Sequence, residues 1–421
     1  MDTGGPKVFV RLPYAERFHA AGYGSQATAY QSTVFEDIPE VPEGLLQAAD
    51  SYQTAADRIE LFTDEAGSPM NGYAYGSTAR EWLLTQRKAA SRISQSHPDL
   101  YASLVAKDTI RRVTKTTPLI DAGSLFGLGE GSLALKLENW QYQNSFKVRG
   151  AAFAVARLLE KLRPDGLAAA SAGNHAQGVA LAAAHHDLEA VLYMPTTTPD
   201  VKQDAVRELG AKVELVGHSY TDAALACSRA LLGNSGLYEV HPFNDADVIT
   251  GQGTIAAELL GQNPALRRVF VGAGGGGAAV GIGKTLKSYD PSIEVVAVQL
   301  EGSEAFKKSR AAGKLVTLKE VNLRSDGTAV RRIGQLTLAG SQQYVDRVVT
   351  VSYEQLESAM ISYHRFAKTE LGKNDHLEPA GALALAAYAQ EFSGDNGLSV
   401  AVCTGGNISS ALKQRIVELA A

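Results

Sequence analysis

Cysteine is nearly absent. Cys227 and Cys403 are the only two in 421 residues, too few for a disulfide framework or a cysteine-ligated zinc site, so a reducing compartment is the expected setting. Long apolar runs are missing as well: none approaches the roughly 20 residues a bilayer-spanning helix needs. The opening Met1-Asp2-Thr3-Gly4-Gly5-Pro6-Lys7 lacks the apolar segment of a secretory signal. These absences predict a soluble, cytoplasmic protein without a membrane partner. No basic block occurs either, since 40 Lys and Arg stand against 45 Asp and Glu for a formal charge of −5. A nucleic-acid role therefore has no electrostatic support, and a small molecule is the expected partner.

What is present is enough apolar material, 45% of the residues, for two or three domains. From about Leu104, short β-rich runs alternate with alanine-rich helical segments. Strands are predicted at Leu133–Leu137, Leu167–Ala170, Ala190–Met194, Lys212–Val216, Val269–Val271, Glu294–Val298 and Ser399–Val402, with helices at Gly150–Leu162, Ala176–His185 and Asp200–Leu209. Such alternation implies parallel sheets covered on both faces, an α/β fold with ligands at the carboxyl ends of the strands. Residues 1–95 differ in character and are read as an N-terminal extension. Candidate helices there are Glu43–Leu61 and Ser77–Gln95, with a separating loop at Ala66–Gly72.

Three motifs carry chemistry. Ser145-Phe146-Lys147-Val148-Arg149-Gly150 offers a lysine, Ser171-Ala172-Gly173-Asn174-His175 opens a predicted helix, and Gly274-Gly275-Gly276-Gly277 follows a strand and precedes a small-residue helix. A strand, a glycine loop and a helix N-terminus form a phosphate cradle, because amides without neighbouring Cβ atoms and the helix dipole both favour an anion. The loop lacks the Gly-Lys-Ser/Thr ending of a nucleotide P-loop and the spacing of a dinucleotide fingerprint, so a small phosphate ester fits better. Each motif alone is weak, a surface lysine and a flexible loop being the bland readings.

With further segments in order, the stretch from about Asp99 to Ile416 resembles the serine/threonine dehydratase (threonine ammonia-lyase) branch of the fold type II pyridoxal-phosphate enzymes. The added segments are Thr116-Thr117-Pro118-Leu119, Lys136-Leu137-Glu138-Asn139, His241-Pro242-Phe243, Gly251-Gln252-Gly253-Thr254, Asp326-Gly327-Thr328-Ala329-Val330, Glu378-Pro379-Ala380-Gly381-Ala382 and Thr404-Gly405-Gly406-Asn407. The resemblance implies a tryptophan synthase β-like architecture: two open, twisted α/β domains with pyridoxal phosphate in the cleft between them. The larger would comprise residues 96–138 and 246–421, the smaller residues 139–245. It further implies that Lys147 forms the Schiff base, Phe146 packs on the ring, and Asn174 meets the phenolic oxygen. Gly274, Gly275, Gly276 and Gly277 would hold the phosphate, and Thr404 would face the pyridine nitrogen, with Cys403 as the neighbouring alternative. Ser171, Ala172, Asn174 and His175 would bind the substrate carboxylate. Tyr220 and the Asp326–Val330 segment would line the pocket. The implied reaction is α-proton abstraction and β-elimination on a threonine- or serine-type amino acid, giving a 2-oxo acid and ammonia.

Two rivals stand beside this reading. A racemase needs a second proton carrier, and its relatives place a serine where this chain has Ala172; a β-replacement synthase favours other residues around the lysine and asparagine. Relatives that bind a divalent cation use two acidic residues and a carbonyl, but here Lys307 stands with Glu301 and Ala305, so no divalent metal is expected while a monovalent cation remains compatible. The chain ends 14 residues after Asn407, so no C-terminal amino-acid-sensing domain is expected. The role of the N-terminal extension is left open between covering the active-site mouth, extending a subunit interface and decorating the surface, with partial closure over the core preferred, and the protein is expected to be a homodimer or homotetramer.

Overall fold

The computed structural model describes residues 93–129, 131–391 and 397–420. Residues 97–421 form one compact unit, distinct from residues 1–96. The helices and loop expected between Glu43 and Gln95 lie outside the described residues except for 93–95, which are helical.

The unit from His97 holds ten strands and twelve α-helices among its described residues. In chain order they are α1 (Pro98–Ile110), β1 (Leu119–Asp121), β2 (Leu133–Lys136), α2 (Lys147–Lys161), β3 (Gly166–Ala170), α3 (Asn174–His185), β4 (Glu189–Met194), α4 (Asp200–Arg207) and β5 (Lys212–Leu215). They continue as α5 (Tyr220–Gly233), β6 (Leu237–Glu239), α6 (Ala246–Gln262), β7 (Leu266–Gly272), α7 (Gly277–Tyr289), β8 (Glu294–Leu300), α8 (Ala305–Ala312) and α9 (Gln335–Tyr344). The last are β9 (Arg347–Val351), α10 (Tyr353–Thr369), α11 (Pro379–Glu391), β10 (Leu398–Val402) and α12 (Ser410–Ala420).

Two sheets organise them. Six strands run in the order β1-β2-β10-β7-β8-β9 and four in the order β5-β4-β3-β6. Strands β3 and β10 are buried along their whole length, as expected of parallel strands sandwiched between helix layers. The expectation of wholly parallel sheets needs one correction. Strand β1 pairs antiparallel with β2, because it lies at the sheet edge, where no helical crossover is required. Separate apolar clusters serve the two sheets: Leu133, Phe270, Val296 and Leu383 lie in the cluster of the six-stranded sheet, and Leu167, Val179, Leu192 and Val155 in that of the four-stranded one.

Helix α2 starts at Lys147, with Phe146 at its N-cap, not at the predicted Gly150. Val148 and Phe146 read as strand formers locally, but Arg149 overrides that preference through tertiary ion pairs. Its guanidinium meets Glu138 at 2.7 Å and Glu258 at 2.7 Å, while Lys136 Nζ lies 2.6 Å from Glu258. All four side chains are buried. Thr117 Oγ1 donates to Glu138, and its backbone N–H donates to Glu258. Despite burial, which favours the neutral acid, the charges of Arg149 and Lys136 hold the Glu258 carboxyl down at about 2. Buried charges persist only when paired and hydrogen-bonded, so this quartet pins α2 to β2 and α6.

Candidate active site

Four of the site loops leave the carboxyl ends of parallel strands. The glycine run follows β7, Thr404 follows β10, Ser171–Asn174 follows β3, and His241–Phe243 follows β6. This is where open α/β sheets collect ligands.

Lys147 is partly buried at the first turn of α2, and its Nζ donates to the Pro242 carbonyl at 3.2 Å. The same ammonium lies 5.2 Å from the centre of the Phe146 ring. Burial pushes the amine down to about 8, with the Glu378 carboxylate opposing that shift. The residue after Pro242 links the lysine to the glycine loop: a Cβ on Gly275 would come within 2.2 Å of the Phe243 ring. Gly276 has φ +89 and caps α7, a conformation that L side chains rarely adopt. The glycines are thus required by packing as well as by any ligand. Val280 N–H bonds the Gly276 carbonyl, and the buried amides of Gly277, Ala278 and Ala279 before it meet no carbonyl among the described residues. Such amides at a helix N-terminus are anion donors.

Asn174 opens α3 from the four-stranded side. Its Nδ2 donates to Glu378 Oε1 at 2.7 Å, and its Oδ1 accepts from Asn407 Nδ2 at 2.8 Å. In the same loop, Ser171 Oγ accepts from the Gly173 amide at 3.3 Å. The Ala172 methyl packs against the core of the four-stranded sheet. The structure spends the His175 imidazole on the Val240 carbonyl, 2.7 Å away, and buries it. Burial, helped by nearby Lys147, pushes His175 down to about 3. What His175 can offer a substrate is its backbone amide.

Cys403 and Thr404 part company. Cys403 is fully buried within the apolar cluster of the six-stranded sheet. The Thr404 hydroxyl donates to the Ala380 carbonyl at 3.0 Å, and its own carbonyl accepts from Phe146 N–H at 3.3 Å, which sets it beside the lysine segment. Thr328 is brought against the glycine loop, a Cβ on Gly274 falling 2.8 Å from its Cα. Tyr220 opens α5 with half its surface exposed, and no hydrogen bond ties it to Lys147 or the glycines. Lys307, standing where an acidic ligand was considered, donates to Thr350 Oγ1 at 2.9 Å.

Glu378, Asn407 and Pro242 stand within the sequence motifs but carry no role that the sequence alone assigns. The legible signal for Glu378 was an acid inside the apolar run Leu377-Glu378-Pro379-Ala380-Gly381-Ala382-Leu383, where only a specific partner justifies burial.

A family model described as pyridoxal-phosphate dependent enzyme matches residues 110–405, which takes in Lys147, Asn174 and all four glycines. The chain belongs to this family. It is 40% identical over 332 residues to the biosynthetic L-threonine dehydratase of Burkholderia multivorans, covering 77% of this chain and 64% of that protein. The chain thus spans a little under two thirds of that relative. Among solved structures, the processed form of threonine deaminase isoform 2 from Solanum lycopersicum aligns with TM-score 0.69 at 32% identity, covering 78% of this chain and 94% of that one. Maize serine racemase aligns with TM-score 0.68 at 28% identity, covering 76% and 97%.

The residues present fit the cofactor that defines the family. A lysine of lowered pKa can condense with an aldehyde, an aromatic ring lies beside it, and buried amides without acceptors stand ready for a phosphate ester.

Proposed function

We propose that this chain is a pyridoxal-phosphate-dependent ammonia-lyase that removes ammonia from a β-hydroxy amino acid of the threonine or serine type, giving a 2-oxo acid. The observation that carries the reading is the position of Lys147: a lysine amine brought down to about 8, bonded to the Pro242 carbonyl, and linked through Phe243 to buried glycine-loop amides. Lys147 would hold the cofactor, Phe146 would flank its ring, and Gly274, Gly275, Gly276 and Gly277 would bind its phosphate. Bound pyridoxal phosphate supplies an electron sink for the α-carbanion.

The chain's own groups do the rest. The neutral Lys147 Nζ takes the α-proton, and the Pro242 carbonyl restrains that nitrogen near the reacting carbon. The amides of Asn174 and His175 at the start of α3, with the Ser171 hydroxyl, bind the substrate carboxylate. Thr404 presents an uncharged hydroxyl committed to Ala380. With no carboxylate there, a bound cofactor's ring nitrogen would not be strongly protonated, which would favour loss of the β-hydroxyl over transamination. Ala172 has no proton to give, which supports elimination over racemisation despite the structural likeness to a serine racemase.

The same reading carries a cytoplasmic homodimer or homotetramer and is compatible with a monovalent cation. No helix among the described residues is long and apolar enough to cross a membrane. A panel of β-hydroxy amino acids assayed for ammonia and 2-oxo acid release tests the proposal, with Lys147→Ala as control. Release from threonine or serine that disappears in the variant is expected; a panel without release overturns it. Gel filtration with and without potassium checks assembly.

A further inference from the structure

Asn174 is held from two sides by groups of the six-stranded half of the unit. Asn407 Nδ2 donates both its hydrogens, one to Asn174 Oδ1 at 2.8 Å and one to the Gln143 carbonyl at 2.9 Å, while Asn407 Oδ1 accepts from Asn144 Nδ2 at 3.2 Å. The orientation of Asn407 is thereby fully specified. Asn174 must turn its oxygen to Asn407 and its nitrogen to Glu378, because the flipped amide would set two NH2 groups face to face.

Asn407 also braces the lysine. Gln143 and Asn144 have φ of +56 and +50, left-handed backbone that persists only where surroundings enforce it. Gly406 N–H bonds the Asn144 carbonyl at 2.9 Å, and Ser145 pairs with Gly405. The strained pair thus turns the chain into Phe146 and Lys147 while laid along residues 404–407.

Glu378 closes the clasp. It is buried, its Oε1 accepts from Asn174, and a Cβ at position 405 would sit 2.2 Å from that oxygen, so only glycine admits the carboxyl. The groups facing it are Asp326 from the 3-10 segment Leu323–Thr328, Lys202 from α4, Lys147 from α2 and Asn174 from α3. Burial first, then Asp326, pushes Glu378 up to about 8, against the Asn174 hydrogen bond and the two lysines. The shift favours the neutral acid over the carboxylate. That acid remains an acceptor toward Asn174 without placing a full negative charge beside the cofactor.

We infer that Glu378 is a positioning residue which, with Asn407, locks the Asn174 amide so that one of its N–H bonds is spent on the clasp and the other is left for the ring oxygen of the bound cofactor. The inference rests on the assignment of Asn174 to the cofactor, and its test reads binding and spectrum, not turnover.

Pyridoxal phosphate itself is the probe, titrated into Glu378→Ala, Glu378→Gln, Asn407→Ala and Asn174→Ala while visible absorbance is followed from pH 6 to 9. Glu378→Ala and Asn407→Ala are each expected to weaken cofactor binding about ten- to hundredfold, the effect of stranding a buried amide group. Glu378→Gln, which keeps a neutral acceptor oxygen, is expected to restore affinity to within about threefold at pH 7 and to abolish the spectral change centred near pH 8. Wild-type affinity and pH response in Glu378→Ala overturn the inference, as does a Gln variant as damaged as the Ala one. An unchanged spectrum in Asn174→Ala overturns the underlying assignment instead. Far-ultraviolet circular dichroism of each variant separates misfolding from these outcomes.

Discussion

Lys136 and Lys147 lie eleven residues apart in the chain and meet opposite fates. Lys136 is fully buried, with its Nζ shared among the Thr117 carbonyl, Glu258 and Gln262. Lys147, at the start of α2, makes no ion pair among the described residues and donates to the Pro242 carbonyl alone. Burial lowers the pKa of both amines, that of Lys136 against the opposing Glu258 and Glu138 carboxylates; what separates them is that three fixed acceptors make Lys136 a structural strut, while a single carbonyl leaves Lys147 uncommitted. The two regions also depend on each other, because Arg149 of the buried quartet sits half a turn from Lys147 and sets where α2 begins.

The sharpest way to break the comparison is to remove each side in turn. Lys147→Ala should lower ammonia release by more than about a thousandfold, since nucleophile and base are lost together, while the thermal unfolding midpoint barely moves. Arg149→Ala should act first on stability. Stranding Glu138 and Glu258 costs about 3–5 kcal/mol, readable in urea unfolding of the protein. If instead Lys147→Ala unfolds the chain and Arg149→Ala does not, the division between strut and reagent is wrong.

A smaller effect should come from His175. Its pKa falls from 6.5 to about 3 on folding, so the unfolded chain binds the extra proton first, and stability is present above 6.5 and lost as pH falls toward 3. Between pH 7 and pH 5 the wild type should lose roughly 2 kcal/mol more than His175→Asn, by comparison of urea midpoints. Thr404→Val should reduce kcat about tenfold by leaving the Ala380 carbonyl without its donor, measured with the best substrate of the panel. Cys403→Ala should change kcat less than about twofold, because its sulfur lies in the apolar cluster behind the strand.

Much of the fold could be read locally. Buried parallel strands announce themselves as short apolar runs, and those at Leu167–Ala170, Ala190–Met194 and Glu294–Val298 all fall within β3, β4 and β8. Strands β1, β6 and β9 were not anticipated; β1 and β6, at three residues each, are too short for a periodic signal. The start of α2 was misplaced because Val148 and Phe146 favour strand locally, and only the distant Glu258 shows why Arg149 must be helical. In the site, the lysine and glycine motifs were legible because chemistry demands those residue types. The choice between Cys403 and Thr404 was not, since adjacent residues at a strand end face opposite ways and sequence does not say which way is inward.

By itself the sequence determined the class of fold and singled out the Lys147 and glycine-run motifs, because strand periodicity, glycine and lysine carry that information in their own covalent structure. Only the tertiary structure decided that Glu378 would be buried against Asn174, that His175 would turn inward, and that Asn407 would tie the asparagine loop to the lysine segment. Those properties arise from desolvation and from hydrogen bonds between residues as many as 264 positions apart, and both exist only once the chain has folded.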